Sequence, residues 1–533
     1  MEMEQMDASG RAADLNEEKS VTMDGAKATT LHEKNKRVVL NIVASLSNQI
    51  IVVVFGLIIP RLYLVNFGSD VNGLDSTIKN IFAYLALLEA GVGLSAQYAL
   101  YKPVANGDTD SINAILSAAR RFYLRSSVVY TAATVVFALV YPLMVKTTLS
   151  YATVSTLVML YGIPGIISFS LRGKYNAFLQ VEGKRYIITV LTTITMILSN
   201  VLRLTFLLIS DNLILIQATY CLPSIIQVVF VILYVRRHYR WINWHATPDM
   251  SALSQKKSVL VHQISGCIFS NTDTVIISFM CGMNYASVYA VFSLFFANFS
   301  KIVASFSDGM TFKFGQLYHS DRKKFDKNFN NYETIFYMLL FIAYTVITAF
   351  LMPVIRLYTS GVSDAAIYDD TTVLLMFAAW TIMSGVEIPL IQLQSIAGKF
   401  DETKHQAIIE MVINLVISLA ATWKFGIVGC LIGTIVALFY RINALLMFAA
   451  KHILQRSCWQ SYKKILINAV VLVGVLLAIG TESCAATGYL HVIGVAFVNA
   501  LWIAALFVAV NVLFNFKEFA DMFRDVKRRL FDR

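Results

Sequence analysis

A lysine and an aspartate share one face of an otherwise apolar stretch of the chain, residues 285–310. Four polar residues recur there at the spacing of one helical face, namely Asn298, Lys301, Ser305 and Asp308. An ionised side chain near the middle of a membrane helix costs at least about 2.5 kcal/mol, so it normally faces other helices or water. The stripe therefore predicts a polar interior, in which Lys301 is a functional candidate and Asp308 an ion-coupling or pairing carboxylate.

Three other apolar stretches carry polar stripes of the same kind. The residues that share a helical face are Lys79, Glu89, Gly93 and Gln97 in 74–99, His262, Gly266, Phe269 and Asp273 in 258–281, and Asn41, Ser45 and Asn48 in 38–65. Embedded charges are few, and they are the first functional candidates: Arg61, Lys79, Arg203, Lys301, Arg441, Glu89, Asp273, Asp308, Glu387 and Glu410.

Each of these side chains also has a structural interpretation. An isolated Asn or Ser in a membrane helix more often bonds a neighbouring helix than a ligand. Three cations lie close enough to the ends of their stretches to reach the membrane surface, namely Arg61, Lys79 and Arg441. Glu89 and Lys301 could form a pair that locks two parts of the chain together. Alternatively, Glu89 and Asp273 could load and release a proton or Na⁺.

Fourteen apolar segments would have to position these side chains, and a bilayer core takes about 20 helical residues to cross. They are 38–65, 74–99, 122–144, 152–171, 187–209, 213–235, 258–281, 285–310, 333–355, 371–396, 405–423, 426–448, 464–480 and 490–514. Backbone in lipid must satisfy its own hydrogen bonds, and the runs are longer than barrel strands, so helices are predicted. With 57% hydrophobic and 14% charged residues, the composition excludes a soluble globule. The predicted fold class is an all-α polytopic membrane protein.

Lysine and arginine concentrate in alternate breaks between the segments, as they do on the cytoplasmic side of membrane proteins. The basic breaks are 100–125, 172–186, 236–257, 311–332, 397–404, 449–463 and the tail 515–533, whereas the opposite ones hold only Lys146, Arg356 and Lys424. Both termini are therefore predicted to be cytoplasmic, and the net charge of +11 needs no nucleic-acid partner. Residues 1–34 lack an apolar signal region and are predicted to be a disordered tail.

The sequence carries no motif for catalysis, metal or cofactor binding. The six cysteines show neither CxxC nor Cys/His ligand spacing, and most lie in apolar segments as small hydrophobes. There is no GxSxG, HExxH, P-loop or dinucleotide-binding fingerprint. We therefore expect no enzyme activity, no cofactor, no metal and no disulfide framework.

The chain aligns with itself at an offset of about 214 residues, which predicts a duplication. The matches are Phe67-Gly68 with Cys281-Gly282, Asn200 with Asn414, and Leu179-Gln180 and Gly183-Lys184 with Leu393-Gln394 and Gly398-Lys399 after one inserted residue. Six segments separate the copies, so both enter the membrane in the same orientation. The predicted organisation is one lobe at 35–240, a linker at 241–257, a second lobe at 258–450 and two further helices within 451–514.

The residues in the first two segments resemble the Wzx-type polysaccharide exporters of the multidrug/oligosaccharidyl-lipid/polysaccharide superfamily, which includes the MATE transporters. The matching run is Asn41, Asn48-Gln49, Pro60-Arg61, Phe67-Gly68, Asn72-Gly73-Leu74 and Leu88-Glu89-Ala90-Gly91-Val92-Gly93. Residues 270–277 followed by Val288-Tyr289 resemble the start of the family's second lobe. The resemblance covers about 35–480 and implies two six-helix lobes in a V, whose first, second, seventh and eighth helices line a cationic cavity.

This resemblance implies a flippase that moves polyprenyl-pyrophosphate-linked oligosaccharides across a bacterial cytoplasmic membrane by alternating access. A polysaccharide polymerase and glycosyltransferases would be its partners, besides membrane lipids. The implied substrate-binding residues are Lys301, Arg61 and Lys79 for the pyrophosphate, and Asn48, Gln97, Asn271 and Asn298 for the sugar. A cation-coupled exporter of small organic molecules is the alternative, and it predicts an acidic cavity. A membrane polymerase or ligase would need a long external loop, and residues 356–370 are short and acidic.

Overall fold

The computed structural model describes residues 49, 51–88, 92–244, 246–251, 257–481, 484–485, 487–516, 518–521 and 524. The α-helices are, in chain order, α1 (Ile51–Ala86), α2 (Val92–Asn106), α3 (Thr109–Met144), α4 (Tyr151–Ile167), α5 (Gly173–Val181), α6 (Arg185–Ile209), α7 (Leu213–Ala218), α8 (Cys221–His238), α9 (Lys257–Met280), α10 (Met283–Ser320), α11 (Arg322–Tyr358), α12 (Thr371–Ile396), α13 (Phe400–Phe448), α14 (Trp459–Ile479) and α15 (Tyr489–Phe514). Short π-helical turns extend α4 and α13, at Ser168–Arg172 and Ala449–Leu454. The predicted all-α class is confirmed.

Two of the longest helices each contain a glycine in the left-handed region of the backbone, where a side chain would be strained. Gly68 has φ +77° and Gly426 has φ +56°. Tyr63 precedes Gly68 in the sequence and Asp75 follows it, yet both line one small cavity. A straight helix would place these two residues about 18 Å apart. The chain therefore reverses at Gly68, and α13 is likewise two helices joined at Gly426.

The described residues contain eleven helical stretches that are long and apolar enough to cross a membrane. Two of them, α1 and α13, each supply two of the predicted segments because of their internal glycines, and α9 supplies one more. This accounts for the fourteen predicted segments of a multi-pass membrane protein. The second segment, predicted as 74–99, is interrupted, since α1 ends at Ala86 and α2 begins at Val92.

Aspartates begin several helices at the membrane surface. Backbone amides in the first turns of α3, α11 and α12 donate hydrogen bonds of 2.8 to 3.1 Å to aspartate side chains. The aspartates are Asp108, Asp321 and Asp370 respectively. Each bond satisfies an amide that has no partner within the helix. The helix boundaries at these three points therefore follow from the local sequence.

The same helix ending occurs in both halves of the chain, after α5 and after α12. Gly183 has φ +73° and Gly398 has φ +66°. The next amide, that of Lys184 or Lys399, donates to the carbonyl five residues earlier at 2.9 and 3.0 Å respectively. This pattern is the glycine-dependent Schellman ending of a helix. Its occurrence at equivalent positions supports a duplication of the first half (α1–α8) as the second half (α9–α13).

The two additional helices, α14 and α15, pack against α11 of the second half. Glu333 of α11 has no exposed surface, and its carboxylate accepts from Arg456 at 2.6 Å and Lys464 at 3.0 Å. The hydroxyl of Ser461 donates to the same carboxylate at 2.6 Å. This buried cluster fixes α14 to the second half.

Candidate functional site between the two halves

A polar cavity of about 260 Å³, here called the central cavity, lies between the first and second halves. The first half contributes lining residues from α1, and the second half contributes residues from α9 and α10. The polar ones are Asn72, Asp75, Ser76, Lys79, Asn80, Ser270, Thr274, Tyr289, Ser293, Asn298 and Lys301. Both lysines of the predicted stripes on 74–99 and 285–310 thus line one space.

The two lysines of the central cavity differ in their partners. Lys79 donates to Asp75, one helical turn earlier, at 2.5 Å. Lys301 is exposed on α10, and no carboxylate among the described residues forms an ion pair with it. Of the cations that line the cavity, Lys301 is thus the one whose charge is left for a ligand.

The predicted asparagines do not all reach the central cavity. Asn298 lines it while donating to the carbonyl of Leu294 at 2.9 Å within its own helix. Asn271 donates to the carbonyl of Cys267 at 2.8 Å and is not among the lining residues, whereas its neighbour Ser270 is. On α9 the face that lines the cavity therefore includes Ser270 and Thr274 but not Asn271.

Two further predicted residues lie away from the central cavity. The guanidinium of Arg61 sits over the ring of Tyr489 at 5.7 Å from its centre, so it contacts α15. Gln97 is half-buried on α2 and does not line the cavity. Asn48 and Glu89 lie outside the described residues, as does the side chain of Asp308.

Asp273 forms a separate buried site beside the central cavity. It is 1% exposed, and its Oδ2 accepts from Tyr289 at 3.1 Å and from Thr434 at 2.7 Å. Asn414, across the hairpin of α13, donates to Thr434 at 3.0 Å. Asp273 Oδ1 and Asn414 Oδ1 are buried without hydrogen-bond partners. Tyr289 also lines the central cavity, so one side chain connects Asp273 with the cavity wall.

The remaining embedded charges among the described residues have their partners within their own halves. Arg203 donates to Gln217 at 2.5 Å and lies over the ring of Tyr63. Arg441 lies 3.3 Å from Glu387 and 3.5 Å from Glu410, and all three side chains are at most 12% exposed. These charges form intramolecular networks away from the lining of the central cavity.

At one end of the bundle, the halves are joined directly. This end carries residues 66–73, 145–150, 210–212, 281–283 and 359–370, and the charge distribution predicts it to be the outer end. Asn72 donates to Ser287 at 2.6 Å, and a hydrogen bond of 2.7 Å joins the hydroxyls of Ser69 and Tyr368. A Cβ on Gly73 would lie 1.9 Å from the carbonyl oxygen of Met283. The outer end is thus closed in this conformation.

Sequence reasoning missed the part of α1 that precedes Lys79. Asn72, Ser76 and Lys79 follow the spacing of one helical face, and Asp75 stands one turn before Lys79. The predicted segment begins at residue 74 and so excludes Asn72, and its predicted stripe begins at Lys79 and so excludes Asp75 and Ser76. No spacing or motif in the sequence connects Thr434 or Asn414 with Asp273.

No protein-family model matches this sequence, and no curated protein matches it. Among solved structures, the chain is similar to one described as lipid II flippase MurJ in an inward closed conformation. The identity is 15% and the TM-score 0.66, over 89% of this chain and 99% of the other.

A second similar structure is described as the inward-facing conformation of a multidrug resistance MATE family transporter of the MOP superfamily. The identity is 12% and the TM-score 0.56, over 81% of this chain and 98% of the other. Both alignments span nearly the whole length of these proteins, so the arrangement of helices is shared throughout. The chain therefore has the fold that this flippase and this transporter have in common.

Proposed function

We propose that this protein is a membrane transporter that flips a polyprenyl-pyrophosphate-linked oligosaccharide by alternating access. The observation that carries the proposal is Lys301, a cation in a cavity between two halves, without an ion-pair partner among the described residues. A pyrophosphate is multiply charged and cannot leave water unless its charge is compensated. Lys301 supplies that compensation, and Lys79 is close enough to the same cavity to assist.

The charge of the central cavity favours an anionic substrate over an organic cation. Its described lining residues include two lysines and one aspartate, and Asp75 is already paired with Lys79. An exporter of organic cations would need an excess of carboxylates there. Hydroxyl and amide groups surround the lysines, so sugar hydroxyls would find donors and acceptors at Ser76, Asn80 and Asn298.

We assign the coupling cation of the transport cycle to Asp273, whichever substrate is carried. A buried carboxylate with one unpartnered oxygen, beside the unpartnered oxygen of Asn414, is suited to a proton or Na⁺. Tyr289 joins this site to the central cavity, so occupancy by a cation can alter the cavity wall. A cation-coupled exporter of small organic molecules, the second candidate function, rests on this same site.

The cellular setting belongs to the same proposal. The protein would lie in a bacterial cytoplasmic membrane with both termini inside, and it would receive its substrate from glycosyltransferases and pass it to a polysaccharide polymerase. The lipid tail would stay in the bilayer while the headgroup crosses between the halves, and no bond is made or broken in this cycle.

The test is a flipping assay with the full chain in liposomes that contain a fluorescent polyprenyl-pyrophosphate saccharide. The measurement is the rate at which label from the inner leaflet becomes accessible to an impermeant quencher. Lys301→Ala and Lys301→Glu should slow this rate by about 100-fold or more, because the pyrophosphate loses the cation that compensates its charge; 100-fold corresponds to about 3 kcal/mol. Lys301→Arg should retain most of the activity.

Lys399→Ala is the matched control, since Lys399 is an exposed lysine paired with Glu402 outside the cavity. Full flipping by Lys301→Ala at equal protein levels would remove Lys301 from the mechanism. Failure of the wild type with this lipid, together with uptake of an organic cation such as ethidium, would favour the second candidate function.

A further inference from the structure

Three cations from three helices of the first half meet near the linker between the halves. They are Arg120 of α3, Lys174 of α5 and Arg236 of α8, here called the basic cluster. No carboxylate among the described residues forms an ion pair with any of them. The basic cluster shares no residue with the lining of the central cavity, so it is a separate feature of the molecule.

Trp244 of the linker forms one wall of the basic cluster. Arg120 donates to the main-chain carbonyl of Trp244 at 3.0 Å, and the ammonium of Lys174 lies 5.1 Å from the centre of its indole ring. The ring of Tyr175 meets the indole edge-on at 4.8 Å and also lies 5.0 Å from that ammonium. Lys174 therefore lies against an aromatic pair, and Arg120 is bonded to the main chain of the same tryptophan.

The linker that carries Trp244 is itself held against α3. The amide of Asn243 donates to the side chain of Asn113 at 2.9 Å, and the amide of Asp249 donates to the carbonyl of Ala114 at 3.3 Å. Ser117 donates to the carbonyl of Asn243 at 3.5 Å. These bonds fix the position of Trp244, so the basic cluster is built by tertiary structure.

The surroundings of Lys174 already disfavour its positive charge. Burial, together with the nearby charges of Arg120 and Arg236, lowers the pKa of Lys174 to about 8. Lys174 follows the membrane-spanning stretch Tyr151–Leu171, so it lies at the surface of the bilayer. An anion between these cations would relieve their mutual repulsion.

We propose that Arg120, Lys174 and Arg236 bind a phosphate group against the Tyr175 and Trp244 rings, at the end of the bundle that carries the linker. Phosphate suits the cluster because two guanidinium groups can each donate two hydrogen bonds to it. The site is independent of the substrate in the central cavity.

Two sources could supply this phosphate, namely the headgroup of an acidic membrane lipid and a soluble phosphate compound. Tryptophan and tyrosine are enriched at the level of lipid headgroups, and Trp241 nearby is 41% exposed. Basic pockets between helices on the cytoplasmic side bind acidic lipid headgroups in other membrane proteins. The test must therefore separate a lipid from a free anion.

The first experiment is native mass spectrometry of the full chain with added dioleoyl phosphatidylglycerol or dioleoyl phosphatidylcholine. Wild type should retain phosphatidylglycerol preferentially, and Lys174→Gln and Arg236→Gln should each weaken this binding about fivefold. Lys399→Gln is the control, because it removes a cation that has a carboxylate partner. Equal affinities of all four proteins for phosphatidylglycerol would exclude the lipid as the ligand.

The second experiment needs no variant. It measures acetylation of Lys174 by acetic anhydride at pH 8, where a pKa of about 8 leaves half of the amines neutral and reactive. A bound anion should raise this pKa by at least about one unit and slow acetylation about fivefold. Protection by phosphatidylglycerol alone would identify a lipid, and protection by millimolar phosphate or pyrophosphate would identify a soluble anion. If neither protects Lys174, the proposal is wrong.

Discussion

Asp273 is the side chain whose surroundings restrict its chemistry most. One carboxylate oxygen accepts two hydrogen bonds, from Tyr289 and Thr434, and the other is buried without a partner. A lone ionised carboxylate is costly to bury in the apolar interior of a membrane protein. A proton or a cation bound at Asp273 would compensate this charge, as the proposed coupling role requires.

We expect Asp273→Asn to uncouple transport from its driving cation. An asparagine keeps the shape and the hydrogen bonds from Tyr289 and Thr434, but it cannot be protonated or bind Na⁺ as an anion does. Flipping in liposomes should lose its response to imposed Na⁺ and pH gradients. Asp369→Asn, which alters an exposed partner of Arg356, serves as control. A retained gradient response in Asp273→Asn would contradict the assignment.

Helical spacing predicts which residues share a face of one helix, but it does not predict which other helix that face contacts. The stripe on 285–310 predicts one shared face, and the structure places Asn298 and Lys301 of that stripe in the lining of the central cavity. Arg61 instead contacts Tyr489, which is more than 400 residues away in the chain, and no local pattern could indicate that contact. The hydrogen bond of Asn271 to its own helix could not be predicted either, because spacing does not indicate which neighbour a helical face contacts.

Among the elements, the attachment of α14 depends on a charge cluster in a fully buried position. Glu333 is compensated by two cations, Arg456 and Lys464, and Lys464 is 2% exposed. Removal of one partner from a buried ion pair is far more destabilising than loss of an exposed pair. Folding of the two additional helices onto the second half is therefore sensitive to this cluster.

Lys464→Met should destabilise the protein by about 3 kcal/mol, because Glu333 loses one of its two cations while it remains buried. Thermal unfolding of the detergent-purified chain measures the effect as a lower midpoint. Lys463→Met changes the exposed neighbour and should have little effect. The double variant Glu333→Gln with Lys464→Met should recover part of the loss; an unfolding midpoint of Lys464→Met equal to that of wild type would exclude a stabilising cluster.

The elements themselves were largely predictable, because long apolar runs in a membrane admit few alternatives to helices. The division of α13 follows from Gly426, which falls close to the predicted break between 405–423 and 426–448. The interruption between α1 and α2 was not predicted, since residues 74–99 contain no proline and only isolated glycines.

At the scale of the whole molecule, the two halves are joined at the predicted outer end, and under the proposed alternating access this is one conformation of the cycle. Asn72 and Gly73 of the first half contact Ser287 and Met283 of the second half. These contacts must break before the central cavity can open at this end. The opposite conformation therefore requires the two halves to separate at the start of α10.

A cross-link between the halves at this point should arrest the cycle. The side chains of Asn72 and Ser287 approach to 2.6 Å, so cysteines at both positions can be joined by oxidation or by a short bifunctional thiol reagent. Flipping should stop on cross-linking and return on reduction. The experiment uses a Cys281→Ser background, because that free thiol lies a few residues away. Chains that carry only one of the two introduced cysteines should not respond to oxidation or to the thiol reagent. Activity of the cross-linked chain would contradict alternating access through this end.

The arrangement of the halves could be predicted only in outline. The repeat predicts two related lobes. The pairs that join the halves lie more than 200 residues apart in the chain, and each is a single hydrogen bond between common residue types. Such contacts leave no pattern in one sequence.

The hydrogen bond between Asn72 and Ser287 spans 215 residues, within one residue of the offset at which the chain aligns with itself. Because Phe67-Gly68 aligns with Cys281-Gly282, the predicted counterpart of Asn72 is Ala286, the residue before Ser287. In a pair of identical subunits related by a twofold axis, a residue meets its own counterpart only where it lies beside that axis. The predicted duplication would therefore place this bond close to the axis that relates its two copies.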